Sequence, residues 1–330
     1  MRPRHRLPLS TVLSPARYVL RGVSQIIFLE NAVSGLLILC GLSVMDPRFA
    51  ALVLLGSAAQ SLVGWAVGLR DDVRHGLLGY NGALVGAAAG LHAGYTHASV
   101  LLTVTGAFAC VAVHELVRWL FATPALARFS LPVATAPFCI VAGLIFGAVG
   151  QLVGPGEPTT AADFPTGVAL GLFNSFSEVL LADGLLCGAL IVAALLIDSP
   201  TAAGFGLAGA ALALGGAAVI HGIGEASSGL HAYSAVLVAI GLGAVLWADR
   251  GAVTRVLGTV VGGLTLLLQP VLELTPVIVF TWPFLLAMWL VLIGSHLLFP
   301  ERRPVTVQAP EHTAAEPAER STGRGAGDRR

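Results

Sequence analysis

Long apolar runs, broken by short polar or Gly- and Pro-bearing stretches, fill most of this 330-residue chain. Five precede the polar stretch 151–166, at about 27–45, 49–69, 77–93, 98–121 and 134–151. Five follow it, at about 181–197, 202–221, 230–248, 254–270 and 277–298. A helix crosses the hydrocarbon layer with about 20 apolar residues. The pattern therefore predicts an all-α membrane protein with ten transmembrane helices.

Arginine placement tests that count. The chain has no Lys, so all 18 cations are Arg. With the N-terminus inside, the inner side receives the N-terminal segment, Arg70 and Arg74, Arg118 and Arg128, Arg250 and Arg255, and the tail beginning Arg302-Arg303. Only Arg48 falls outside, so 17 of the 18 obey the positive-inside rule. Losing one span would invert half the pattern. Composition agrees: 56% of residues are hydrophobic and 11% charged, against about 25% charged in soluble domains. The 40 Gly suit helices packed backbone to backbone. No cleavable signal is expected, because Pro and Ser interrupt the Arg-bearing start. Cys40, Cys110, Cys139 and Cys187 sit in separate runs without metal-ligand spacing, so no metal and no cofactor is expected.

The chain also repeats itself. Ser24-Gln25, then Glu30 and Gly35, recur as Ser177-Glu178, Asp183 and Gly188, a shift of 153 (24 to 177). The same shift carries Gly76-Leu77-x-x-Tyr80 onto Gly229-Leu230-x-x-Tyr233. Thr135-Ala136-Pro137-Phe138 returns as Thr281-Trp282-Pro283-Phe284, a shift of 146 (135 to 281). Five spans per copy is an odd number, so the second copy enters the membrane upside down. Such inverted repeats place a transport path at their interface. The expected order is a basic cytoplasmic segment 1–21, a first half 22–151, an extracellular linker 152–173, an inverted second half 174–299 and a disordered cytoplasmic tail 300–330. The expected location is a cell membrane, multi-pass, with both termini cytoplasmic.

Repeat-paired polar residues are the candidates for chemistry. A carboxylate at membrane depth, as at Glu178, is costly unless it meets water or a partner. Gln25 and Glu178 can alternatively be helix N-terminal residues at the interface, favoured by the helix dipole. The segments around them, 22–31 and 174–184, are candidates for two short tilted half-membrane helices lining a central pore. Thr135 and Thr281 each stand two residues before a Pro. That Pro frees a carbonyl, which together with the hydroxyl can face a cavity, or the Thr can bond back to its own helix. Phe28, Tyr80, Leu181 and Tyr233 lie beside these motifs. Two flat apolar plates about 7–8 Å apart, edged by acceptors, would admit a flat solute rich in N–H donors. No ring of charges points to an ion.

A family resemblance follows from these residues. Leu131-Pro132-Val133-Ala134-Thr135-Ala136-Pro137-Phe138 resembles the LPxxTxPF signature of the urea transporter family. Residues 76–82 are similar to that family's GLxGFNG segment. Gly22-Val23-Ser24-Gln25 with Phe28, and Ser177-Glu178, resemble its two selectivity segments. The resemblance covers about 17–298. It implies a passive urea channel, a homotrimer with one pore per subunit, with Gln25, Glu178, Thr135 and Thr281 in the pore. It also implies plates formed by Phe28 with Tyr80 and by Leu181 with Tyr233. The chain departs from the pattern in five places. Tyr80 and Tyr233 stand where Phe is usual, Ser234 where Asn is, Leu181 is aliphatic, and the second LPxxTxPF is degraded ahead of Thr281. A channel for ammonia or another small neutral amide is therefore the alternative.

Other readings are weaker. His114-Glu115 with Arg118 can be a proton relay or a self-satisfying charge cluster. His92, His97, His221 and His231 read as scattered interfacial residues. HExxR at 114–118 is not HExxH, since Arg cannot ligate zinc, so an intramembrane enzyme ranks third. The expected partners are urea or a similar small neutral solute, the lipid bilayer and like subunits, and no nucleic acid.

Overall fold

The structure, a computed structural model, describes residues 9–150, 152–153, 163–276 and 278–298. The tail 300–330 and most of the stretch before 163, read from the sequence as a disordered tail and a linker, lie outside the described residues. All regular elements among the described residues are helical. The first part holds α1 (Leu9–Ser24), α2 (Ala32–Met45), α3 (Pro47–Ala66), α4 (Arg70–Arg74), α5 (Tyr80–Ala93), α6 (His97–Phe121) and α7 (Ala136–Val149). The second holds α8 (Phe164–Ser177), α9 (Leu185–Asp198), α10 (Pro200–His221), α11 (Ile223–Ala226), α12 (Tyr233–Ile240), α13 (Ala252–Gly262), α14 (Thr265–Glu273) and α15 (Trp282–Leu298).

Among the described residues, four segments are long and apolar enough to cross a membrane: α3, α6, α10 and the joined α13–α14. Two helix pairs reach that length and apolarity only together, and each is sharply bent. Ser14–Ile27 meets Ala32–Met45 at 74°, and Phe164–Leu180 meets Leu185–Asp198 at 77°. Helices α7, α12 with its continuation, and α15 are apolar but shorter. The fold is thus that of a multi-pass helical membrane protein.

The breaks correct the helical limits expected for the short segments. Residues 22–31 and 174–184 are not themselves half-helices. Each holds the last turn of a longer helix, a 3-10 turn (Gln25–Ile27 or Glu178–Leu180), and the bend that follows. In α1, Pro15, Arg17 and Arg21 interrupt the apolar run and hide the helix before the turn. Helix α8 begins at an Asp163 cap, whose Oδ1 accepts from Thr166 N at 3.3 Å, inside the stretch read as linker. After the first break Asn31 restarts the chain, its Oδ1 accepting from Val33 N at 2.9 Å.

Two glycines permit the sharp crossings. A Cβ on Gly35 would lie 2.0 Å from the Leu20 carbonyl oxygen, and one on Gly188 would lie 1.9 Å from that of Phe173. The glycines and their carbonyl partners are both related by the shift of 153 (35 to 188, 20 to 173). The same backbone contact is therefore made twice, in the same register. Helices α2 and α9 then pack on each other, where Ser34 Oγ donates to Ala194 O at 3.1 Å. Helix α12 runs on into a π-helical stretch, Gly241–Leu246. Arg255 Nε donates to Gly243 O within it at 2.6 Å.

Gly35→Ala and Gly188→Ala should each destabilise the protein by about 1–3 kcal/mol or more through overpacking against backbone. Gly204→Ala, in α10 with nothing within 4 Å of the added carbon, should gain about 0.5–1 kcal/mol. Thermal unfolding in detergent checks both signs.

Candidate functional site

Helices α1 and α8 both end inside the protein, and their ends are alike. Phe28 and Leu181 take left-handed backbone with φ of 63° and 56°. Such conformations cost a non-glycine residue about 1–3 kcal/mol and persist where the surroundings enforce them. Here they close the helix. Phe28 N donates to Gln25 O at 3.0 Å and Leu29 N to Ser24 O at 3.1 Å. In the second copy Leu181 N donates to Glu178 O at 2.9 Å and Ala182 N to Ser177 O at 3.2 Å. Gln25 and Glu178 therefore stand at helix C-termini. The alternative of a helix N-terminal position is overturned. At a C-terminus the peptide dipoles present partial negative charge, which suits an N–H donor rather than an anion.

The two side chains are held differently. Gln25 is half-buried, and its Nε2 donates to His75 O at 2.8 Å, which leaves Oε1 as the outward acceptor. Glu178 is 7% exposed and lines a cavity of about 510 Å³.

The repeat-paired threonines meet. Thr135 Oγ1 lies 2.6 Å from Thr281 Oγ1, both side chains buried, and Cys139 Sγ lies 3.1 Å from the latter. The two hydroxyls meet each other across the two parts of the chain. Ala134 and Phe280, the residues just before them, both have left-handed φ, 45° and 35°. The prolines do not act as expected. Pro137 and Pro283 occupy the first turns of α7 and α15, where a missing N–H breaks no helical bond. They end no ladder and free no carbonyl.

The carbonyls beside the threonines already accept bonds, two at Ala134 and one at Phe280, which reduces their free capacity as acceptors. Tyr80 Oη donates to Ala134 O at 2.7 Å, and Tyr233 Oη donates to Phe280 O. The hydroxyls that distinguish these tyrosines from phenylalanine thus tie α5 and α12 to the turns that carry Thr135 and Thr281. Asn81 strengthens the first tie. Its Nδ2 donates to Ala134 O at 3.3 Å and its Oδ1 accepts from Phe138 N at 3.0 Å. Ser234, its counterpart, is too short for that bridge, and its buried Oγ has no hydrogen-bond partner.

The cavity gathers Glu178, Leu181 and Tyr233, but not Gln25, Phe28, Tyr80, Thr135 or Thr281. Phe28 packs edge-on to Phe284 of the second part, centroids 6.0 Å apart. The cavity also brings in residues that the sequence did not single out, among them Gln269, Glu273 and Phe280. Two histidines read as scattered are paired instead: the rings of His221 and His231 stack at 4.4 Å. His92 stacks on Phe146 at 4.7 Å beside the same cavity. The His114 region is a charge cluster, with Arg118 bonded to Asp72 at 3.1 Å and to Glu115 at 2.5 Å.

Apolar helices broken beside buried polar groups place the chain among multi-pass helical membrane proteins. A family model described as urea transporter matches residues 16–296, and the chain belongs to that family. It is 26% identical to urea transporter 1 of Rattus norvegicus over 254 residues, covering 72% of this chain and 65% of the relative. It is 28% identical to urea transporter 1 of Ovis aries over 199 residues, covering 56% and 50%. The chain thus spans about half to two thirds of the length of the curated relatives it matches.

Asn81→Ala leaves the buried Phe138 N–H without its acceptor and should cost about 1–3 kcal/mol. Ser234→Ala removes a hydroxyl with no partner and should be neutral or stabilising. Denaturation of the two variants in detergent distinguishes them.

Proposed function

We propose that the protein is a passive urea channel of a cell membrane. In this reading ten crossings form two inverted halves, both termini are cytoplasmic, and three subunits assemble, each with its own pore. The observation that carries the proposal is the meeting of the repeat-paired Thr135 and Thr281 in the buried interior. Membership of the urea transporter family and the names of the relatives support the substrate. The Arg distribution supports the orientation. The one outer Arg, Arg48, is held by Asp46 at 2.7 Å and lies over the Tyr95 ring at 4.2 Å. The Arg48 bond holds the Asp46 carboxyl at about 2, well below its usual range, so this pair stays charged across the physiological range.

Urea enters the outer cavity and donates N–H bonds to a side-chain oxygen of Glu178 beside Leu181 and Tyr233. It crosses the centre by replacing the hydroxyl–hydroxyl bond of Thr135 and Thr281 with bonds of its own. It leaves past the Gln25 amide oxygen and the Phe28 ring. Each step exchanges hydrogen bonds, so a solute stripped of water never loses all its partners. Flux follows the gradient, with no coupling ion. One observation favours the smaller-solute alternative, ammonia or a small amide: the tyrosine hydroxyls occupy the carbonyls of Ala134 and Phe280, leaving fewer acceptors for a solute with four N–H groups.

Stopped-flow urea efflux from proteoliposomes, with formamide and ammonia in parallel, is the test. Glu178→Leu and Thr135→Val should each lose about 1–3 kcal/mol of hydrogen bonding to the desolvated solute. That corresponds to flux roughly 10- to 100-fold lower, with the protein still folded. Wild-type flux in Glu178→Leu removes that residue from the path. Ammonia or formamide flux without urea flux establishes the alternative.

A further inference from the structure

The corner after α10 brings together three metal-ligating side chains. His221 ends α10, Glu225 lies in α11, and His231 precedes α12. Gly222 turns the chain between the first two with φ of 87°. His221 Nδ1, Glu225 Oε1 and His231 Nε2 all lie within 4.8 Å of one another. His231 Nε2 stands 3.2 Å from the carboxylate oxygen and His221 Nδ1 3.9 Å from it. We propose that these three side chains bind a divalent transition-metal ion, with Zn²⁺ as the probe, at the rim of the cavity that leads to Glu178, and that the bound ion lowers flux through it.

The donor set fits the ion. Two imidazoles and one carboxylate suit Zn²⁺ and its neighbours rather than Ca²⁺ or Mg²⁺, which take oxygen ligands. Bonds of about 2.0–2.1 Å in a tetrahedron put donor atoms about 3.3–3.4 Å apart. The Glu225–His231 pair is already there. The His221–Glu225 pair must close by about half an ångström, and the stacked rings must tilt so that both lone pairs converge. The side chains have room to do so, since those of His221 and Glu225 are 36% and 60% exposed. The fourth position is left to water, as in sites with three protein ligands.

The position gives the ion an effect. Glu225 and His231 are themselves walls of the cavity, which also holds Glu178 and Glu273. The acidic mouth draws in a cation, and a hydrated ion at its rim obstructs the way to Glu178. This consequence rests on the channel reading, whereas the binding does not.

Binding is measured first, by calorimetric titration of Zn²⁺ into the full chain in detergent after chelator treatment. The expected result is one saturable site per chain, weakened roughly tenfold or more in His221→Ala, His231→Ala and Glu225→Gln, and unchanged in His97→Ala. Size-exclusion profiles confirm that the variants are folded. Absence of saturable binding, or equal affinity in all variants, overturns the site. In proteoliposomes, Zn²⁺ on both sides should reduce wild-type urea efflux and spare that of His221→Ala. Variant-sensitive binding with undiminished efflux overturns the blocking role. Variant-sensitive binding in a protein that passes no urea leaves the site standing and rejects the channel reading instead.

Discussion

Helices that stop inside the protein must satisfy their own ends, and the rest of the architecture follows from how two of them do it. Helix α1 and its 3-10 turn end beside buried Ser24, and α8 ends beside buried Ser177. The last carbonyls of each are capped by the next residues of the chain through one left-handed residue. This turn is compact, so the following helix can leave at a steep bend, 74° in the first copy and 77° in the second. The bend keeps the start of α2 against the end of α1, and that of α9 against α8. The crossings close only because Gly35 and Gly188 present no side chain to the carbonyls beneath them. The stop also places Gln25 and Glu178 in the final turn, where a longer helix would have buried them along its flank.

Two more helices begin in the interior, and they supply the complementary ends. Helices α7 and α15 start at Ala136 and Trp282, just after the threonines that touch. Their first-turn N–H groups are spent locally: Ala136 N donates to Val133 O, Phe138 N to Asn81 Oδ1 and Cys139 N to Thr135 O, while Trp282 N donates to Val279 O and Leu285 N to Thr281 O. The turns that carry the threonines have no helix of their own to fix them. Tyr80 with Asn81, and Tyr233, hold them through single carbonyls, while Trp289 Nε1 donates to Pro132 O at 3.0 Å. Fixing the turns fixes the distance between the hydroxyls.

Much of this was legible in the residues. The shift of 153 identified Gln25 with Glu178 and Gly35 with Gly188, and each pair occupies the same local structure. The shift of 146 identified two threonines that lie in hydrogen-bonding contact. What escaped has physical causes. An apolar run does not register a break when the residue at the bend is Phe or Leu, because the left-handed turn is enforced by packing rather than signalled by Gly. Helix α1 was obscured because charge and a proline cover the face that periodicity relies on. The prolines were misjudged because a Pro in a first turn and a Pro in a helix middle look alike until the helix start is known. His221 and His231 looked scattered because ten residues separate them (221 to 231) and only the tertiary corner stacks their rings.

The two halves have diverged where they no longer need to match. The first keeps the Asn81 bridge, and its polar residue, Gln25, is partly spent on His75 O. The second lacks that bridge at Ser234, carries an acidic side chain at Glu178 and opens into the cavity of about 510 Å³. Its helix α12 loosens into a π stretch at Gly241, where an added Cβ would sit 3.2 Å from the Phe28 ring. A π turn inside an α-helix commonly marks a functional position, and this one borders the Phe28 ring of the first part. Such asymmetry cannot make an uncoupled path favour one direction, since at equal concentrations the forward and reverse fluxes must balance. It can change where a solute rests. In the proposed channel, an acidic side chain and an open cavity on one side and a half-committed amide on the other would shift the resting place toward Glu178, and saturation would then be governed by that end.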